Sequence, residues 1–362
     1  MLKPIDKRFQ VSPFLVFFII TSVQVGVGVL GFQPFLLEAG HDGWITVLLA
    51  GLLVHGIIWI LYKLIRSGKG DLIDIHHQAF GKWLGNFFSI VVMFYFTFAT
   101  ITVLRSYIEV VQVWIFPDLP TWSLALPFIL LVYYVVMGGF RTVVGISFFS
   151  VILPAYLVLT FLFPLKFARW ESLSPFFDVD IKPLFSASIQ MTLSYIGFST
   201  LLVFHPYVKD GVNTQKWAHL GTLATTILYV LIEIVTIIYY SADQLKIVTW
   251  PTLGLWKIAE LPFVERFEFI GISTWLLVIL PNITIYLWAA SRIGKRVSGF
   301  KQKYFLVIIL IIVFIGCIYF EKRESITQLN DILSTMGKYY NFVYIPLLFI
   351  IHTILVKVRK TK

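Results

Sequence analysis

The sequence predicts an all-α integral membrane protein, and three features lead to that prediction. Hydrophobic residues make up 58% of the 362 residues and charged residues only 13%, and the mean hydropathy is +0.86. A soluble domain of this length cannot bury so much apolar surface. The apolar residues also form about ten separate runs, each near the ~20 residues that cross a bilayer as a helix.

The predicted spans fall into two groups of five, separated by a polar stretch at 166–182. The first group comprises 13–37, 44–65, 81–116, 122–139 and 143–165, and the second comprises 183–204, 217–240, 265–290, 303–320 and 340–357. This arrangement predicts one transmembrane domain over 1–362, with a first five-helix repeat at 13–165 and a second at 183–357. In an inverted repeat, the sixth span is the counterpart of the first.

The first span has a weak helical centre. Gly26, Gly28 and Gly31 fall within six residues, and Pro34 follows. Each glycine costs a helix about 1 kcal/mol and a proline about 3 kcal/mol, so we predict a break. Lipid cannot satisfy the freed backbone groups, and the break must therefore face protein or a wet cavity. Gln24, one turn earlier, is placed to hydrogen-bond those groups; alternatively, the glycines only permit close helix packing.

The sixth span is weak at the corresponding place. Tyr195, Gly197 and Phe198 lie there between Ser194 and Ser199. Paired interrupted spans in the two halves of a transporter point to a substrate site near the middle of the membrane. The ends of the half-helices can hold a carboxylate, and freed carbonyls can hold an ammonium group. For this span alone, helix packing explains the small residues equally well.

The positive charges predict the orientation of the chain. The net charge is +10. Lysines and arginines gather near the two ends of the chain, from Lys3 to Arg8 and from Lys357 to Lys362, and at 63–82, 209–216 and 292–303. The positive-inside rule then places both termini in the cytoplasm, which agrees with an even number of spans. The charge thus fits loops on one side of a membrane, and we predict no nucleic-acid partner.

Two polar connections are predicted to lie outside the spans. Asp71–His77 has the pattern of an amphipathic segment along the inner membrane surface. The stretch 241–264 is too polar to span a bilayer and is predicted to cover an outer mouth.

Charged residues inside the spans are functional candidates, because a charge at bilayer depth is costly unless it is paired. Arg105 and Glu109 are four residues apart, hence on one helix face and able to pair. They form either a structural ion pair or the polar lining of a pathway. Glu233 has no evident partner in the sequence and is a candidate for ion coupling or proton response. His55 also lacks one and is expected to be a packing residue.

Two further residues are candidates for ligand contact. Thr284 follows Pro281 in the eighth span and either contacts a ligand or bonds its own backbone. Val103 lies near the middle of the third span and could form an apolar side of a small pocket. Small apolar residues without a strong charge would suit a small neutral or zwitterionic ligand.

No enzymatic or metal-binding constellation is present in the sequence. The single cysteine, Cys317, excludes an internal disulfide and a cysteine-based metal site. His76 and His77 with Asp71 and Asp74 have a spacing that drifts around a helix, and a solvated face explains them better. There is no P-loop and no nucleophile motif. We therefore predict no catalytic residues, no cofactor and no metal.

Several short patterns resemble a known family. Gly26-Val-Gly-Val-Leu-Gly31 is similar to the glycine-rich break of the amino acid–polyamine–organocation transporter superfamily. Within it, the chain most resembles the B subunit of spore germinant receptors of endospore-forming bacteria. That resemblance rests on the opening at 12–31, on Phe80–Gly85, on His205–Tyr207 and on the short basic tail. It covers essentially the whole chain.

The resemblance implies a five-plus-five inverted-repeat, LeuT-like fold with the first and sixth helices broken. A ligand site would lie between the two breaks and be lined also by the third and eighth spans. The protein would sense a nutrient germinant and would work with a larger membrane A subunit and a C-subunit lipoprotein in the spore inner membrane.

Three functions remain open on the sequence. The first is a germinant-sensing subunit that binds an amino acid, a sugar or a nucleoside and signals to its partners. The second is a proton- or sodium-coupled amino acid permease, since a sensor and a carrier can share a site. The third is a structural scaffold for the A subunit.

Overall fold

The computed structural model describes residues 5–68, 70–175, 177–260, 262 and 264–360, with side chains as far as residue 355. The basic terminal residues Lys3 and Lys362 lie outside the described residues. Fourteen α-helices follow one another in these ranges: α1 Leu15–Gln24, α2 Gly43–Gly68, α3 Leu72–Trp114, α4 Thr121–Met137, α5 Phe140–Ile152, α6 Ile181–Met191, α7 Leu201–Phe204, α8 Gln215–Tyr239, α9 Ala242–Ile247, α10 Pro251–Lys257, α11 Phe267–Ser298, α12 Gln302–Tyr319, α13 Arg323–Tyr339 and α14 Ile345–Lys360.

Length and apolar composition identify a multi-pass membrane protein. Seven helical stretches among the described residues are long and apolar enough to cross a bilayer, and a bent pair at 181–207 makes an eighth. Two shorter apolar helices, α1 and α4, occupy the positions of the predicted first and fourth spans. The all-helical membrane fold is thus confirmed, while the count of ten spans and the inverted repeat stay predictions.

The last span begins earlier than predicted. We placed its start at residue 340, but one helical stretch runs over Arg323–Leu355, with a π-helical turn at Tyr340–Tyr344 between α13 and α14. Its first half is strongly amphipathic: Ile326, Leu329 and Leu333 are buried, while most of the residues between them are polar. Because polar and apolar residues alternate around the helix, the hydropathy averaged along the sequence is low there, and the apolar face is not recognised as part of a span.

The connection after α2 is buried, unlike the predicted segment along the membrane surface. It forms the first turns of α3, which a non-helical Gly81 (φ 75°, ψ 178°) separates from the rest of that helix. His76 is fully buried; its Nδ1 lies 2.8 Å from Ser89 Oγ and its Nε2 lies 2.9 Å from Tyr344 Oη. These contacts fix the segment against the last span.

Two sets of contacts close the side of the bundle on which the chain begins. Val11 N–H donates to Tyr207 C=O and Lys209 N–H donates to Val11 C=O, both at 2.9 Å, which ties the segment before α1 to the segment after α7. Arg296, at the end of α11, bonds the carboxylates of Asp71 and Asp74 at 3.0 and 2.9 Å. Both halves of the bundle are therefore anchored at this end.

The Arg296 ion pairs should contribute strongly to stability. Arg296→Gln removes the guanidinium group that bonds two carboxylates, which are 1% and 5% exposed, and removing one partner of a buried pair costs about 3 kcal/mol or more. We expect a clearly lower unfolding temperature for the purified protein in detergent. Arg8→Gln is the control, because the Arg8–Asp6 pair is exposed and should contribute less than about 1 kcal/mol. Equal unfolding temperatures for the two variants would contradict the expectation.

Candidate ligand site

The first span is broken where the glycines predict. Helix α1 ends at Gln24, and Val25 (φ −93°, ψ 101°) and Gly26 (φ −142°, ψ −148°) are extended. A 3₁₀ turn over Val27–Leu30 follows, and a second 3₁₀ stretch over Gln33–Asp42 leads into α2. Backbone carbonyls just before the break are therefore free of their usual helical partners.

The sixth span is broken at the predicted place as well. The stretch 181–195 and the stretch 198–207 meet at an angle of 51°. Gly197 between them has φ +113°, a conformation that other residues rarely adopt. A Cβ there would lie 2.9 Å from both Tyr286 Oη and Val23 Cβ, so neighbouring helices also leave no room for a side chain.

The two breaks lie against each other. A Cβ on Gly28 would stand 3.5 Å from Ser194 Oγ, an ordinary contact distance. Tyr229 of α8 joins the two segments, because its hydroxyl lies 3.1 Å from Gln24 C=O and 3.0 Å from Ser194 C=O and shares its one hydrogen between these two acceptors. A single buried hydroxyl thus serves freed carbonyls on both sides.

Asn282 of α11 is a second side chain that donates hydrogen bonds to carbonyls at the first break. Its Nδ2 donates to Ser22 C=O at 2.7 Å and to Val25 C=O at 3.0 Å. A Cβ on Gly26 would lie 2.9 Å from Asn282 Oδ1, so the glycine permits this approach. The carbonyls that we expected to hold an ammonium group already accept hydrogen bonds from side chains in this arrangement.

Sequence reasoning missed both of these side chains. Asn282 lies two residues before Thr284 without a sequence signal for this role, and the apolar sequence around Tyr229 gives none for that residue. Gln24 behaves differently from the prediction, since its Nε2 donates to Thr222 Oγ1 at 3.2 Å instead of bonding the freed backbone. It is the backbone carbonyl of Gln24 that takes part in the break.

Accessible surface at the breaks is concentrated on one side. Gly28 is exposed, and Val27, Ser194 and Ile196 are partly buried. The residues that follow the second break, 198–204, are buried. The predicted ligand residues Tyr195, Phe198 and Thr284, like Gly26 and Gly197, are buried. Gly28 and Ser194 thus form an accessible edge where the two breaks meet.

The remaining predicted contacts are divided. Thr284 Oγ1 donates to Pro281 C=O at 3.3 Å within its own helix. Of its two predicted roles, this is the hydrogen bond to its own backbone. Val103 is partly buried against the core. Gly31 contacts the outer connection, since a Cβ there would lie 2.6 Å from Thr249 C=O.

The outer connection covers the first break. Thr252 of α10 donates its hydroxyl to Val29 C=O at 2.8 Å and accepts from Gln33 Nε2 at 2.7 Å. Together with the Gly31 contact, these bonds place α9 and α10 over the 3₁₀ turn, which agrees with the predicted cover over this mouth.

The predicted pair between Arg105 and Glu109 is wrong. Arg105 Nε donates to Phe320 C=O at 2.7 Å and its Nη2 donates to Glu321 C=O at 2.9 Å. Glu109 pairs with Arg323 at 2.6 Å. One helix face does carry both residues, but the connection between α12 and α13 lies over that face and supplies a partner to each.

The two remaining polar candidates lie between α2 and α8. Glu233 is 3% exposed, and among the described residues its Oε2 has no hydrogen-bond partner; its other oxygen faces the start of α2, 2.6 Å from where a Cβ of Gly43 would be. His55 does have a partner: its Nδ1 lies 2.7 Å from Nδ1 of His219. Among the described residues no group of three or more His, Cys, Asp or Glu side chains could hold a metal ion.

Comparisons with known proteins agree on one family. A family model described as "Spore germination protein" matches residues 10–326. Spore germination protein GerQB of Bacillus cereus is 39% identical over 99% of this chain and 100% of its own length. Spore germination protein A2 of Bacillus subtilis (strain 168) is 25% identical over 87% of this chain and 88% of its own.

A solved structure shows the same fold. The chain is similar to a Na⁺-coupled sialic acid symporter in a substrate-bound, outward-open state, with a TM-score of 0.64 over 96% of this chain and 88% of the symporter. The sequence identity is 13%, so this likeness concerns the fold alone. It supports the predicted LeuT-like class.

Removing the Tyr229 hydroxyl should loosen both breaks together. Tyr229→Phe leaves two buried carbonyls without their donor, which costs about 1–3 kcal/mol for an unsatisfied group. We expect faster amide hydrogen exchange in the segments 24–30 and 192–198 of the purified protein. Tyr156→Phe is the control, because that hydroxyl bonds Thr274 at a more exposed position. Faster exchange at only one of the two breaks would contradict a shared donor.

Proposed function

The chain belongs to the spore germination protein family, and we propose that it is the nutrient-sensing membrane subunit of a spore germinant receptor. A small nutrient, such as an amino acid, a sugar or a nucleoside, binds between the broken first and sixth spans. Binding favours one arrangement of the bundle over another, which requires different affinities for the two. The altered arrangement is passed to a membrane A subunit and a C-subunit lipoprotein in the spore inner membrane, with both termini of this chain in the cytoplasm.

The observation that carries the proposal is the contact between the two breaks. Ligand sites in transporter folds occur where discontinuous helices meet, and here Gly28 and Ser194 meet at the accessible side of that place. Tyr229 and Asn282 donate hydrogen bonds to the freed carbonyls. A nutrient that replaces one of these bonds changes how the first span is held.

The candidate residues take two roles in this proposal. Gly28 and Val103 are proposed to contact the nutrient together with the accessible edge at Ser194, whereas Thr284, which is buried and bonds its own backbone, is proposed to support the wall of the site. The other predicted ligand residues give the site its shape, either as glycines that allow close approach or as buried aromatic walls: Gly26, Gly31, Gly197, Tyr195 and Phe198.

The test of the role is genetic. We expect that deletion of the gene in a spore former abolishes germination in response to one class of nutrient and leaves the other classes effective. If spores without the gene germinate at the normal rate with every nutrient of a broad panel, the sensing role is contradicted. The affected class would identify the chemistry of the ligand.

Bulk at the contact between the breaks should block sensing without preventing folding. At Gly28 a Cβ meets Ser194 at 3.5 Å, so Gly28→Ala fits, whereas Gly28→Leu fills the space in front of Ser194. We expect Gly28→Leu to reduce the germination rate with the affected nutrient about tenfold or more, the effect of losing roughly 1.4 kcal/mol of binding. Gly56→Leu is the control, since nothing lies within 4 Å of a Cβ there. A normal response from Gly28→Leu spores with unchanged protein levels would favour the scaffold role.

The rival function is a proton- or sodium-coupled amino acid permease, and the symporter-like fold keeps it open. Uptake of labelled amino acids into vesicles that carry this chain alone distinguishes the two. Accumulation that depends on an ion gradient would reject the sensing proposal in favour of transport.

Glu233 is proposed to be the residue that responds to protons or to a coupling ion. Glu233→Gln replaces the titratable carboxyl group by a neutral amide of nearly the same volume, so the packing around it should be retained. We expect the variant to lose the dependence of its response, or of uptake, on pH or on the ion gradient. The measurement compares the rate of germination or of uptake at two pH values in the unaltered protein and in the variant. A pH dependence that is the same in both would exclude this role for Glu233.

A further inference from the structure

A cavity of about 220 Å³ lies on the other side of the first break, between α1, α5 with its 3₁₀ continuation, α8 and α11. Its inner wall includes Val25 and Val29, which flank the break at Gly26. Trp256 and Trp275 also line it, with ring centroids 5.4 Å apart. The cavity is thus separate from the accessible edge at Gly28 and Ser194, although it touches the same segment of chain.

The lining of this cavity is predominantly apolar. Its three hydroxyl groups are used within the protein: Thr21 donates to Gly221 C=O, Ser22 to Ile19 C=O and Ser150 to Ser147 C=O. The indole N–H groups of the two tryptophans are buried without accessible surface. The charged residues of the chain are absent from the lining. An occupant must therefore be apolar.

The mouth of the cavity lies among lipid-facing residues. Ala155 and Val158 of the lining are exposed. Leu159 and Ile227, beside the lining on the same two segments, are 65% and 60% exposed. Apolar side chains that are exposed on helices of a membrane protein face hydrocarbon, so the mouth opens towards acyl chains.

We propose that this cavity binds the hydrocarbon chain of a membrane lipid. An apolar cavity of 150 Å³ suffices to bind benzene, so about 220 Å³ holds a segment of acyl chain. The chain segment packs against Val25 and Val29 and thereby supports the extended backbone around Gly26 from the bilayer side. This role is independent of which nutrient, if any, binds at the other side of the break.

Fluorescence quenching by brominated lipids tests the proposal directly. The full chain is reconstituted into phosphatidylcholine vesicles with or without bromine on the acyl chains. Trp256 and Trp275 are 1% and 5% exposed and line the cavity, so an acyl chain inside the cavity brings its bromine against them. The difference between the unaltered protein and the double variant Trp256→Phe, Trp275→Phe isolates their signal from that of the other tryptophans.

We expect bromine to quench this difference signal, and Ala224→Leu to reduce the quenching by roughly a factor of two or more, since it fills the cavity that a chain would occupy. Gly56→Leu is the matched control, because it adds the same side chain at a lipid-facing position with nothing within 4 Å and should leave the quenching unchanged. If Ala224→Leu does not fold, Ala155→Leu narrows the mouth instead.

Two results would overturn the proposal. Unquenched Trp256 and Trp275 in a folded protein would mean that no acyl chain enters. Quenching that is unchanged by both cavity variants would mean that the bromine reaches the tryptophans by another route.

Discussion

The structure depends on one constraint, which is that unwound backbone inside a membrane needs hydrogen-bond partners from the protein. Both interrupted spans free carbonyls at bilayer depth, where each unsatisfied group costs several kcal/mol. Tyr229 and Asn282 provide the donors from α8 and α11. The breaks can therefore exist only while these two helices stay in place, which couples the local geometry of the site to the packing of the whole bundle.

This dependence gives the site a means of reporting on its own state. The segment before α1 and the segment after α7 are joined at Val11 and Val208, and Arg296 joins α11 to the start of α3. A change in how the first span is held at the break acts on elements that are anchored at the same end. The outer connection, bonded to Val29 through Thr252, anchors the other end of the break. Movement is thus directed to the segment between them.

The two faces of the first break have different chemistry. One face meets the sixth span at Ser194, with an accessible polar edge. The other face borders a predominantly apolar cavity, whose three hydroxyl groups donate within the protein and whose two indole N–H groups are buried without a hydrogen-bond partner among the described residues. The same few residues of the first span are thus bordered by a polar edge on one side and by an apolar cavity on the other.

The sequence by itself determined the membrane class, the position of both breaks and the family, because composition, glycine content and local motifs are properties of short stretches. It also placed Arg105 and Glu109 on one helix face, but the tertiary structure gave each a different partner from the connection between α12 and α13. Only the tertiary structure decided which side chains satisfy the freed carbonyls, because Tyr229 and Asn282 are about 200 and 260 residues away from the break that they serve. The same holds for the start of the last span, where an apolar stripe on a polar helix becomes evident only against its neighbours. Local pattern shows where backbone bonds are lost, and long-range packing decides what replaces them.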